Sequence, residues 1–282
     1  MIRNKKILKG LNHEQYEHPF DKKALAALEK PILDGSIFSI PNPIPAIGKY
    51  VTTHLIEKIF NVQYTGSNLK VTADNYPHIY ELLEYACEIL DVENRPDLYI
   101  QWGYNINAFT VGAEHPIIVL NSGLIDLCDD EEIMFIIGHE LGHIKSNHML
   151  YHMMAQSFNG IISLIPFPLT KAAATSIQYL LYYWYRMSEF TADRAGLMCC
   201  QNEEAAVRAF MKMAGVPKAH FSDLNMDTFI RQAREFKQLD EDGMSKLIKV
   251  LSIADDNHPW TVMRASELLK WIREGEYEKF VK

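Results

Sequence analysis

The spacing of apolar positions changes along this chain, and each change marks an element. In "NYPHIYELLEYACEIL" (75–90) apolar residues stand at 79, 82, 83, 86, 89 and 90. That is the period of one helix face, with Pro77 suited to a first turn. Around 98–120 the pattern shortens to "DLYIQW", "NAFTVG" and "HPIIVLN", β-branched and aromatic runs parted by Gly, Asn and Pro. Such runs predict hairpin-linked strands. Asp129, Asp130, Glu131 and Glu132 then open a helical run whose Ile133, Ile137, Leu141 and Ile144 share one stripe. Beyond 186 the chain reads as helices at about 187–200, 203–214, 225–238, 244–252 and 260–273. A lead segment, 1–65, holds a proline loop at 39–48 and a helix from about Val51 to Phe60. It is expected to pack on the unit formed by 66–282, giving one structural body. The predicted class is α+β, mainly α, with a small antiparallel or mixed sheet beside the helix that Asp129–Glu132 open.

One stretch departs from this soluble pattern. Between Lys145 and Arg186, Lys171 is the only Lys, Arg, Asp or Glu. Pro166 and Pro168 interrupt its first half, and neither half is an unbroken apolar span of about 20 residues. A buried helical hairpin is the favoured reading, and a surface that meets a membrane is the weaker one. Charge narrows the partners: 36 Asp and Glu against 28 Lys and Arg give −8, with no basic block to hold nucleic acid. The four cysteines form no CxxC pair, and the N-terminus shows no apolar secretory core. A cytoplasmic location, with a possible peripheral membrane association, is therefore expected.

The candidate chemistry lies in "HELGH" (139–143). At about 100° per residue His139 and His143 are only about 40° apart, so both can reach one ion. Glu140 is adjacent in azimuth, placed to hold a water as general base rather than to ligate. Gly138 and Gly142 are poor helix formers whose presence suggests close approach by another backbone or by substrate. Two histidines do not complete a site. His148 would lie about 180° from His139 on a continued helix, and the chain has Ser146 and Met149 where a longer zinc motif needs Gly and His. His148 and His152 are accordingly read as solvated or hydrogen-bonded helix histidines. The better third ligand is in "RMSEFTADRAG" (186–196), where Glu189 and Asp193 are i and i+4. Two histidines and a glutamate form an established zinc set with one position left for water. Asp193 can accept the second ring N–H of a ligating histidine.

These segments, in this order, resemble the HtpX-type zinc metalloproteases, a family of gluzincin type that also includes the CAAX prenyl proteases. The resemblance covers roughly 70–272 and rests on "NAFTVGAEHPIIVLNSGLID", "HELGH", "SEFTADRAG" and "DNHPWTVMRASEL". It implies a zincin-like metalloprotease domain with one zinc ion per chain. It also implies that Asn107 holds substrate backbone, that His258 stabilises the tetrahedral intermediate, and that Arg264 and Arg186 organise the substrate site. The expected activity is endopeptidase cleavage of an extended polypeptide bound as an added strand. Other readings are a latent zinc protein acting as a chaperone or interaction module, a small-amide hydrolase, and a peripheral quality-control protease. Membrane members of the family carry clear transmembrane helices at the 146–186 excursion, where this chain has none of convincing length.

Overall fold

The computed structural model describes residues 4–33, 55–163, 171–238 and 261–282. The proline loop at 39–48, the start of the helix expected from Val51, the prolines at 166 and 168, the helix expected over 244–252 and His258 lie outside the described residues. The chain runs α1 (Pro19–Leu33), α2 (Glu57–Ser67), β1 (Leu69–Lys70), α3 (Pro77–Ile89), β2 (Asp97–Gln101), β3 (Ala108–Val111) and β4 (Ile117–Asn121). Helices α4 (Ser122–Leu127), α5 (Asp130–Lys145), α6 (Met149–Gln156), α7 (Phe158–Ser163) and α8 (Lys171–Cys200) follow. The last are α9 (Glu203–Met213), α10 (Met226–Gln238), α11 (Thr261–Arg273) and α12 (Glu278–Val281). The class is mainly α with one small mixed sheet, as the pattern predicted.

The sheet order is β1-β2-β4-β3, and only β3 and β4 form the expected hairpin. Strand β2 pairs parallel with β4 instead. Its side chains at 98–100 are buried, and β1 pairs with its other edge antiparallel. Strand β3 is thereby sent to an edge of the sheet. Its alternation puts Ala108 in the main core and Phe109 against Tyr64 of α2, ring centroids 5.1 Å apart. The same contact carries α2 past the Phe60 end read from the sequence, because Tyr64 lies one turn beyond Phe60 on the face that packs.

Two crossing helices, α5 and α8, form the centre. Helix α5 begins with a capping box: the Asp129 carboxylate accepts from the amides of Glu131 and Glu132, and Glu132 accepts from the Asp129 amide. Arg208 and Lys212 of α9 then pair with the fully buried Glu132 carboxylate. Helix α8 extends N-terminally well beyond the 187 start expected, since the aromatic run has a wall to pack on. Leu181 and Trp184 bury against Ala24 and Leu28 of α1, while Tyr179 and Tyr183 stay exposed. Among the described residues no helix is long and apolar enough to cross a membrane.

The glycines of the motif have a packing cause, and the approaching backbone is α8. A Cβ on Gly142 would stand 2.6 Å from the Ala195 Cβ and 3.1 Å from the Ala192 Cα. On Gly138 it would meet the Cys199 Cβ at 2.3 Å. Replacing Gly142 by Ala gains about 1 kcal/mol of helix propensity but forces the helices apart. Overpacking of this kind costs about 1–3 kcal/mol, so Gly142→Ala should lower stability in urea unfolding. Unchanged or raised stability would show that α5 and α8 separate freely.

Candidate metal centre

The close α5–α8 crossing brings three donors from two helices to one point. His139 Nε2 and His143 Nε2 are 3.1 Å apart, and they lie 3.4 and 3.3 Å from the two carboxylate oxygens of Glu189. All three residues are buried. Zinc–nitrogen bonds of about 2.05 Å at a tetrahedral angle separate ligand atoms by about 3.3 Å, which is the spacing found. The donor chemistry fits as well. The Nδ1 atoms of both rings are engaged elsewhere, so both Nε2 atoms are turned towards each other and towards the Glu189 carboxylate. Two ring nitrogens and a carboxylate converging on one point are a donor set that suits a cation.

Charge around the ligands points the same way. His139 Nδ1 donates to Asp193 Oδ1 at 3.0 Å. Arg264, on α11, grips both oxygens of Asp193 at 2.8 and 2.6 Å and reaches Glu189 at 3.2 Å. Burial opposes a charge on His139, but the bonds to Asp193 and Glu189 outweigh it and hold the pKa up at about 9. Burial lowers the pKa of His143 despite Glu189, and a charged His139 beside it adds to the effect. The pocket therefore accepts one positive charge readily and resists a second proton. For Asp193, burial is overcome by Arg264 and His139, which keep it ionised.

His148 is where the sequence reading needs correction. Helix α5 does not continue through it. Asn147 adopts φ 56°, and the amides of Asn147 and His148 return to the carbonyls of Ile144 and His143. This is a Schellman ending with Asn at its left-handed position, and the signal was present in the sequence. The turn carries His148 back to His143, where the two Nδ1 atoms are 2.9 Å apart. His148 and His152 are buried and hydrogen-bonded, so the solvated alternative falls and the hydrogen-bonded one stands. His152 donates from Nε2 to the Ser188 hydroxyl, 2.8 Å away, which passes its own proton to the Tyr185 carbonyl. His143, His148 and His152 also lie close enough together to be considered as ligands. However, their nitrogens are already used by one another, by Asp21 and by Ser188. In the set with Glu189 the two Nε2 atoms and the carboxylate face one another at one point, with Arg264 as the neighbouring cation.

Glu140 faces a cleft of about 770 Å³, whose lining includes Asn107, Phe135, Ile136, His139 and Arg264. Thr110 on the edge strand donates to Glu140 Oε2 at 2.7 Å, a partner the sequence reading did not single out. Only the strand alternation hinted at it, since Thr110 shares a face with the buried Ala108. Asn107 immediately precedes β3 and lines the same cleft as Glu140. Arg264 also borders the cleft, but its contacts run inward to Asp193 and Glu189, so it organises the centre rather than standing ready for a ligand. Arg186 is buried one turn before Glu189 and is not among the cleft-lining residues.

Comparison with known proteins shows the family of the chain. Over 281 residues the chain is 29% identical to the plastoglobule-localized metallopeptidase of Arabidopsis thaliana chloroplasts, covering 98% of this chain and 77% of that protein. It is 42% identical to a protease HtpX homolog of Sulfurovum over 72 residues, about a quarter of each chain (25% and 26%). A protease HtpX homolog of Streptococcus thermophilus is 21% identical over 70% of this chain and 77% of its own length. No solved structure matches. Residues 78–272, more than half of the chain and spanning both α5 and α8, match the family model "Peptidase family M48". The chain belongs to peptidase family M48.

Proposed function

We propose that the protein is a zinc-dependent metalloendopeptidase that cleaves extended polypeptide segments. The observation that carries this reading is the convergence of His139, His143 and Glu189 at tetrahedral ligand spacing, with Glu140 beside them and open to the cleft. Zinc held there would supply Lewis acidity, bringing the pKa of water from 15.7 to about 7. Glu140 takes the proton. Thr110 donates to its Oε2 and so orients the carboxylate, which passes the proton on to the leaving amine. Asp193, held by Arg264, keeps the proton of His139 on Nδ1 and the Nε2 lone pair facing the metal position.

The substrate is read from the sheet edge. Strand β3 pairs with β4 on one side, and Asn107, just before it, lines the same cleft as Glu140. A peptide added along β3 would be gripped by main-chain hydrogen bonds, which favours broad specificity. The lead segment belongs to the same body in this reading, because α1 contributes core to α8. Digestion of unfolded casein by the full chain tests the proposal. Cleavage should stop on treatment with 1,10-phenanthroline and return with added zinc. Cleavage that persists in the metal-stripped protein, or no cleavage when zinc is loaded, would sink the endopeptidase reading.

A further inference from the structure

The two ligating histidines are supported unequally. His139 rests directly on a carboxylate, Asp193, whereas His143 rests on another imidazole. An imidazole is an ambiguous support, because it either accepts or donates at Nδ1 depending on where its own proton sits. The ambiguity is removed at the other end of the ring. His148 Nε2 lies 3.2 Å from Oδ2 of Asp21, on the first turn of α1. Asp21 is itself held from α8: Thr191 Oγ1 donates to the same oxygen at 2.6 Å and accepts from the His18 amide at 3.0 Å. Asp21, His148 and Thr191 are all buried, and Trp184 closes edge-on over the His148 ring at 5.5 Å.

With one ring proton on each of His143 and His148, donor and acceptor roles alternate in a single way. A carboxylate only accepts, so the His148 proton is on Nε2. Its Nδ1 therefore carries a lone pair and must accept from His143 Nδ1–H. His143 Nε2 is left unprotonated, facing Glu189 and His139. We infer that Asp21, acting through His148, is a positioning residue of the metal centre: a carboxylate of the lead segment fixes the proton of a metal ligand two side chains away. Burial works against ionising Asp21, but its bonds from His148 and Thr191 hold its pKa below the usual carboxylate range, so the acceptor is present at neutral pH. Asp21 lies outside the matched residues 78–272, so the centre draws on a part of the chain beyond the family region.

The inference rests on zinc being held by His139, His143 and Glu189, and the test separates the two. Zinc affinity of the full chain is measured by competition with a chromophoric chelator. His148→Phe keeps a ring but removes the acceptor, and it should weaken zinc binding about 10- to 100-fold, the range typical for such outer partners. Asp21→Leu should weaken it about tenfold alone and add little in the His148→Phe background, because its route is already cut. Leu28→Ala loosens the same helix without touching the relay. It should lower the melting temperature while leaving zinc affinity within about twofold.

Long-range proton–nitrogen spectra of histidine-labelled, zinc-loaded protein should show His148 as the Nε2–H tautomer, a readout that holds even if Asp21→Leu fails to fold. Four results would each overturn the relay: wild-type affinity in His148→Phe, a full Asp21→Leu effect in the double variant, an Nδ1–H tautomer at His148, or an equal loss in Leu28→Ala. Glu189→Ala is run alongside. If it binds zinc as wild type does, the metal assignment itself has failed, whereas if it loses zinc while the relay variants keep it, only the relay has.

Discussion

Glu140→Gln should leave zinc bound and hydrolysis lost. Gln has the shape of Glu, and its amide oxygen can still accept from Thr110, which now gives 2.7 Å to the carboxylate. The donors His139, His143 and Glu189 are untouched, so metal content should match the wild type. What disappears is a base able to take a proton and return it to the leaving amine. General acid–base groups contribute roughly 10²- to 10⁴-fold, and the loss in kcat should fall in that range with KM little changed. The decisive pair of measurements is zinc content and casein turnover on the same sample. A variant that holds zinc and cleaves at the wild-type rate would remove Glu140 from the mechanism.

Arg264→Met should destabilise the protein strongly, and the metal-free form most. The guanidinium is the buried cation that meets Asp193 at 2.6 Å and Glu189 at 3.2 Å, all three residues being nearly inaccessible. Burial opposes its charge, yet Asp193 and Glu189 raise its pKa, so it stays protonated throughout the accessible range. Removing one partner of a buried pair leaves the other uncompensated, at a cost of about 3–5 kcal/mol. Zinc bound by Glu189 offsets part of this by supplying a cation beside the same carboxylates. The melting temperature of chelator-treated Arg264→Met should therefore fall further below its wild-type counterpart than that of the zinc-loaded variant. Equal shifts in the two forms would mean that the metal and the arginine do not share these carboxylates.

The elements set by local pattern were legible from residues alone. Helix α3 follows its apolar stripe, and the capping box of α5 is written in Asp129 and Glu132. The same holds for the phase that puts His139 and His143 on one face, and for the i, i+4 spacing of Glu189 and Asp193, because both are properties of a single helix. Strand pairing was less legible. Nothing local distinguishes a β2–β3 hairpin from the parallel β2–β4 pair, since the choice depends on which edges the rest of the fold leaves to be filled. His148 was misplaced by carrying a helix through Asn147, although the residue type that ends it was in view.

The sequence by itself determined the family, the helix phases and the residue types of the candidate metal centre. Only the tertiary structure decided which groups surround them. Thr110 meets Glu140 across 30 positions, Arg264 meets Asp193 across 71, and Asp21 reaches His148 from an N-terminal helix. Contacts at such separations carry no periodic signal in the chain. They arise where packing brings buried polar groups together, and each such group must then find a partner.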